Sequence, residues 1–137
     1  MKYEIFVEDL IEGVHDWDAH VFKIALTNTA PNVATHAVRA DITELATSGG
    51  YTAGGNTTTI TTSRASGVAK ATGTDPTVWH GSGGGFTFRY AVLYNDTPTS
   101  PADPLIGYWD YASSQLVAAG ETLTVDLSAS EGIFTIT

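Results

Sequence analysis

The residues of this chain best equipped for chemistry lie in one short run, His15-Asp16-Trp17-Asp18-Ala19-His20. Two imidazoles and two carboxylates are ligand types that hold zinc and similar divalent ions. The spacing is not that of a metal motif. No H-x-x-x-H or H-E-x-x-H pattern sets two imidazoles on one helix face, and His36 and His80 stand far away in sequence. A polar turn accounts for the run without a metal. The run Gly81-Ser82-Gly83-Gly84-Gly85 suggests a phosphate cradle, but a P-loop needs Lys followed by Ser or Thr and then a helix. Here Phe86 opens an apolar alternation, so a flexible connection is the reading. Tyr108-Trp109-Asp110-Tyr111 is the best candidate for an aromatic platform that stacks on sugar rings. In a strand only alternate residues share a face, so half of it at most is exposed if the other half packs inside.

Nucleophilic chemistry has no carrier. Cysteine is absent, which excludes disulfides, thiolate nucleophiles and Cys-ligated metal centres. Gly81-Ser82-Gly83 is only a fragment of a G-x-S-x-G elbow. No residue is therefore assigned a catalytic, cofactor-binding or metal-binding role, no cofactor is expected, and the chain is read as a non-enzyme.

The elements that position these residues follow from periodicity. Tyr3, Phe6, Val7, Leu10, Ile11 and Val14 recur at spacings of three and four, which predicts a helix over residues 3–12 stopped by Gly13. Ile5 breaks the pattern and leaves a strand over 3–8 open. From residue 19 the period becomes two. Phe22, Ile24 and Leu26 share a face. Val38, Ile42 and Leu45 allow a short helix within 37–47. Strands are expected over 57–65, 68–72, 77–80, 86–95, 105–111, 122–127 and 132–137. In the strongest, Phe86, Phe88, Tyr90, Val92 and Tyr94 are read as one apolar face. The expected core is Phe22, Ile24, Leu26, Phe88, Tyr90, Val92, Leu123 and Val125. Seven to nine short strands with one or two short helices predict a mainly β fold, a β-sandwich or jelly-roll-like domain. Residues 1–137 read as a single β-rich domain with an N-terminal helical segment over 1–14.

Composition narrows the partners. The 137 residues carry fifteen acidic and six basic side chains, for a net charge of −9. Nucleic acid is not an expected partner, because phosphate contacts need clustered Lys and Arg. An anionic membrane surface is excluded on the same ground. The N-terminus has no apolar signal segment, and no run reaches the ~18 apolar residues of a membrane span. Synthesis and retention in a cytoplasm are expected.

Several stretches resemble a family of small proteins of tailed bacteriophages and prophages. They are Tyr51-Thr52-Ala53-Gly54-Gly55-Asn56, the run from Phe88 to Thr97, Pro104 to Tyr111, and Ala119-Gly120-Glu121-Thr122. Phe6-Val7-Glu8-Asp9 and the run from Lys23 to Pro31 add to them. The resemblance spans nearly the whole chain and rests on the order and spacing of these segments. It implies a virion structural protein encoded with head and tail morphogenesis genes, made in the host bacterial cytoplasm and carried in the virion. It transfers no catalytic motif. The first expectation is a capsid decoration or stabilising protein on the head. The alternatives are a tail, neck or baseplate component, and a carbohydrate- or receptor-binding module. Expected partners are capsid or tail subunits, in a homo-oligomer or multi-copy assembly. The segment Met1 to Val14 is either an attachment element or the closure of one end of the sandwich.

Overall fold

The structure, a computed structural model, describes residues 1–137. It is mainly β, with 43% strand against 8% helix, and forms a sandwich-like domain of three antiparallel sheets. The one α-helix, α1 (Ile5–Glu12), ends where Gly13 takes a left-handed conformation (φ 72°). Met1 to Tyr3 do not join it. They run extended beside a later strand, with Lys2 opposite Gly107.

Strand β1 (Phe22–Thr27) is central. With β2 (Asn56–Thr58), β6 (Phe86–Asn95) and β7 (Leu105–Val117) it forms a four-stranded sheet in the order β2-β1-β6-β7. A second sheet has the order β3-β4-β9, from β3 (Ile60–Ala65), β4 (Val68–Gly73) and β9 (Phe134–Ile136). A two-stranded ribbon pairs β5 (Trp79–His80) with β8 (Thr122–Leu123). The threonine-rich run expected as one strand over 57–65 is thus divided at Thr59. Its first part pairs with β1 and its second with β4, so one run of sequence feeds two sheets.

The main core lies on the face of the four-stranded sheet that carries Phe22, Ile24 and Leu26. Ile60, Ala71, Trp79, Val125 and Leu127 close over it from the smaller sheets and the C-terminal segment. A second core covers the opposite face, where Ala25, Val92 and Tyr94 pack with Tyr3, Ile42 and Leu105. Both faces of β1 are therefore covered, so Ala25 is as dry as Ile24. At Gly55 the chain crosses β1 in a left-handed conformation (φ 67°), and a Cβ there would lie 1.8 Å from the Ile24 carbonyl oxygen. Only glycine fits so close a backbone approach.

Three expectations are corrected. The alternation assigned to 86–95 does not persist, because pairing with β7 shifts register between Phe88 and Tyr90. Phe86 and Phe88 enter the main core together with Ala91 and Leu93, while Val92 and Tyr94 belong to the second core. The seven other expected core residues are buried, but Leu123 is only half-buried. Within 37–47 there is no α-helix, only a 3-10 turn at Arg39–Asp41. The Asp41 carboxylate accepts from the N–H groups of Ala37 (2.8 Å) and Val38 (3.0 Å) and closes the chain into that turn. Ile42 then packs in the second core and Leu45 against the main one, so their helical spacing reflects two destinations.

Candidate interaction surface

The run from His15 to His20 is brought together by a residue distant in sequence. Asn95, fully buried at the end of β6, directs its amide nitrogen at His15 Nδ1 (3.1 Å) and His20 Nδ1 (2.9 Å). An amide nitrogen can only donate, so it uses both Nδ1 atoms as acceptors. Asp16 turns its carboxylate onto the N–H groups of Asp18 and Ala19, both at 3.0 Å. The Nδ1 atoms of both rings are thus engaged by an amide donor, and the Asp16 carboxylate closes a turn. No group of three or more His, Asp or Glu side chains gathers to hold a metal.

Sequence periodicity gave no hint of Asp9, which is buried on α1 with its Oδ2 3.9 Å from His15 Nε2. Neither atom has a hydrogen-bond partner. Burial pushes the Asp9 carboxyl above its usual range, helped by Glu12 and Glu8. Burial, with His20 nearby, pulls His15 down to about 4. An unpaired carboxylate beside a neutral imidazole weakens the docking of α1 rather than strengthening it.

The glycine run is structural. A Cβ at Gly81 would lie 2.0 Å from the Ala118 carbonyl oxygen, and one at Gly85 2.4 Å from that of Val117. Gly81 and Gly85 pack backbone against backbone, while Gly83 and Gly84 have open space about them. The aromatic run is divided between faces, as alternation requires. Trp109 and Tyr111 lean on the main core. Tyr108 packs with Tyr3 and Tyr90, and Asp110 holds Arg89 through two bonds of 2.8 and 3.0 Å. Trp79 is buried, and Trp17 stacks flat on Phe22 at 4.9 Å between centroids. No two tryptophan faces are left side by side for a sugar.

What remains is an apolar surface. Six large hydrophobic side chains are exposed, and three of them, Val7 (42%), Ile11 (85%) and Ile136 (51%), line one groove between α1 and β9. The groove has a volume of about 410 Å³, with Phe6, Leu10 and Phe134 among its lining residues. Met1, 74% exposed, lines an adjoining depression that shares Lys2, Phe6 and Phe134 with it. The helical stripe read from the sequence is therefore split. Tyr3 and Phe6 turn inward and belong to the fold, and Val7 and Ile11 turn outward. This clustered apolar surface is the candidate interaction site.

No helix is long and apolar enough to cross a membrane. Compared with known protein families, curated proteins and solved structures, the chain matches none of them.

Proposed function

We propose that this protein is a structural component of a tailed-bacteriophage virion, acting as a decoration or stabilising subunit on the head. The observation that carries the reading is the groove between α1 and β9. A small domain with dry cores on both faces of its main sheet still exposes Val7, Ile11 and Ile136 together. Such a surface costs solubility unless an assembly covers it. The family resemblance supplies the assembly, and the fold suits the task. Two faces of one sheet packed against rigid neighbours make a stiff body that can bridge subunits without changing shape. In this reading the protein has no catalytic role, its neighbours are capsid subunits, and it resides in the virion.

The test mixes the purified protein with assembled, undecorated heads. Wild type should sediment with heads, while the double variant Val7→Glu/Ile11→Glu should stay in the supernatant with an unchanged circular-dichroism spectrum. Both side chains are exposed, so the domain should tolerate the change. Equal binding by the folded variant would remove the groove from the attachment surface. Wild-type protein found only on tails, in few copies per particle, would replace the head reading with the tail one.

A further inference from the structure

Two imidazole nitrogens of this fold converge on one atom. His15 Nδ1 and His20 Nδ1 lie 3.1 and 2.9 Å from the Asn95 side-chain nitrogen. A ring nitrogen that accepts a hydrogen bond keeps its lone pair, and a lone pair is what ligates a metal. No spacing motif announces the set, because Asn95 stands 80 and 75 residues from the two histidines. Behind His15 lies a second, independent feature. Its Nε2 faces Asp9 Oδ2 at 3.9 Å, the two side chains are 0% and 5% exposed, and neither atom has a partner. In the chain alone that buried carboxylate is an uncompensated cost. It is also the arrangement that backs a metal-binding histidine, whose ring binds through one nitrogen and donates the hydrogen of the other to a carboxylate. A shift of about 1 Å brings Nε2 and Oδ2 within hydrogen-bond range.

We propose that His15 Nδ1, His20 Nδ1 and the Asn95 side-chain oxygen bind one first-row divalent metal ion, of which zinc is the reference, with Asp9 positioning His15 from behind. Without metal, the Asn95 amide holds both nitrogens toward their common point. With metal, the amide turns over and presents its oxygen there. The turn gives up one contact, from the Thr97 N–H to Asn95 Oδ1 at 3.3 Å. The Asp16 N–H, 3.2 Å from His20 Nδ1, also loses its acceptor, and because Asp16 is exposed, water replaces that bond. Two imidazoles and a neutral oxygen suit zinc and its first-row neighbours, whereas calcium and magnesium take shells of oxygen. Water completes a four-coordinate zinc. His15 is buried and His20 half-buried, so the ion enters from the His20 side. The site joins the loop of His15 and His20 to the end of β6 and, through Asp9, to α1. Its role is to fasten those three segments, a property separate from the virion reading.

The test takes the full chain, stripped with a chelator, titrates it with zinc chloride at neutral pH in a calorimeter, and melts it with and without zinc. Wild type should bind one zinc per chain, and a ~100-fold excess over Kd should raise Tm by about 10 °C. His20→Ala should lose both the binding and the shift while keeping its circular-dichroism spectrum. If that variant unfolds, His20→Gln, which keeps an acceptor for the Asp16 and Asn95 donors, takes its place. His80→Ala removes an exposed imidazole on β5 and should bind zinc as wild type does. Asp9→Asn should still bind one zinc, with affinity lowered about 10–100-fold. The same variant should be no less stable than wild type without metal, because the unpaired carboxylate is gone. Unchanged zinc affinity in Asp9→Asn would remove Asp9 from the site. A wild-type Tm indifferent to zinc, or wild-type zinc binding by the folded His20 variant, would overturn the proposal.

Discussion

Tyr3 and Tyr51 are both buried, and they make opposite use of the same hydroxyl group. The Tyr51 hydroxyl donates to Glu44 Oε1 at 2.6 Å and accepts from the Leu26 N–H at 3.0 Å, tying the 44–55 segment to the centre of β1. Burial and the Glu44 carboxylate both hold its proton on, raising its pKa. The Tyr3 hydroxyl is buried without a partner. Tyr51→Phe should cost about 1.5–3 kcal/mol, because it strips a bond to a charged group and leaves Glu44 short of a donor. Tyr3→Phe should be neutral or stabilising in the same urea titration. A loss above ~1 kcal/mol for Tyr3→Phe would mean that the hydroxyl is bonded after all. Neither role was legible in the sequence. Both side chains follow from where the chain crosses itself, and each tyrosine sits in an unremarkable local pattern.

At the scale of elements, β6 shows where local pattern stops being informative. Its alternation from Phe86 to Tyr94 is unbroken in sequence, yet the faces exchange at the register shift between Phe88 and Tyr90. Between the pairs Phe88–Gln115 and Tyr90–Asp110 the register moves by three residues, and an odd shift exchanges the faces. It is tolerated because both sides of this sheet are apolar, Ala91 and Leu93 fitting one core and Val92 and Tyr94 the other. Phe88 precedes the shift and is 1% exposed. Phe88→Ala should cost ~3–5 kcal/mol in equilibrium unfolding. A cost below ~1 kcal/mol would place the ring outside the main core. β1, by contrast, was legible, since Phe22, Ile24 and Leu26 do share the face that alternation assigns them. The α1 helix and its stop at Gly13 were legible too, while its first expected residues became an edge pairing with β7.

For the whole molecule, the carboxylates and one buried imidazole act on stability in opposite directions as pH falls. Acidification toward the pI of about 4.5 relieves repulsion among fifteen carboxylates. Protonation of Asp9 acts the same way, because its raised folded pKa makes the native state the better proton binder. His15 works against both. Its pKa is lowered in the fold from 6.5 to about 4, so between these values the unfolded chain binds a proton that the native state refuses. Its contribution is intact above pH 6.5 and is lost as pH falls toward 4. The groups facing it are Asp9 on α1, His20 in its own loop and the Asn95 amide on β6. His15→Gln keeps an acceptor for Asn95 and removes the titration. Thermal unfolding of wild type and this variant should diverge in slope across pH 6.5 to 4, with wild type losing more stability on acidification. Parallel curves would show that His15 takes up its proton within the fold.

The sequence by itself determined the β-rich class, a helix near the N-terminus, the negative charge, and which faces of the simplest strands are apolar. These are properties of composition and of periods two and 3.6, which any short window displays. The tertiary structure alone decided four further things. It divided the threonine run between two sheets at Thr59, and it reversed the faces of β6 after Phe88. It set His15 and His20 on Asn95. It also opened an apolar groove from residues at opposite ends of the chain, Phe6 to Ile11 and Phe134 to Ile136. Each of these depends on which distant segment becomes a neighbour, and that choice is made by the mutual packing of the sheets, a long-range quantity that no local window of residue types contains.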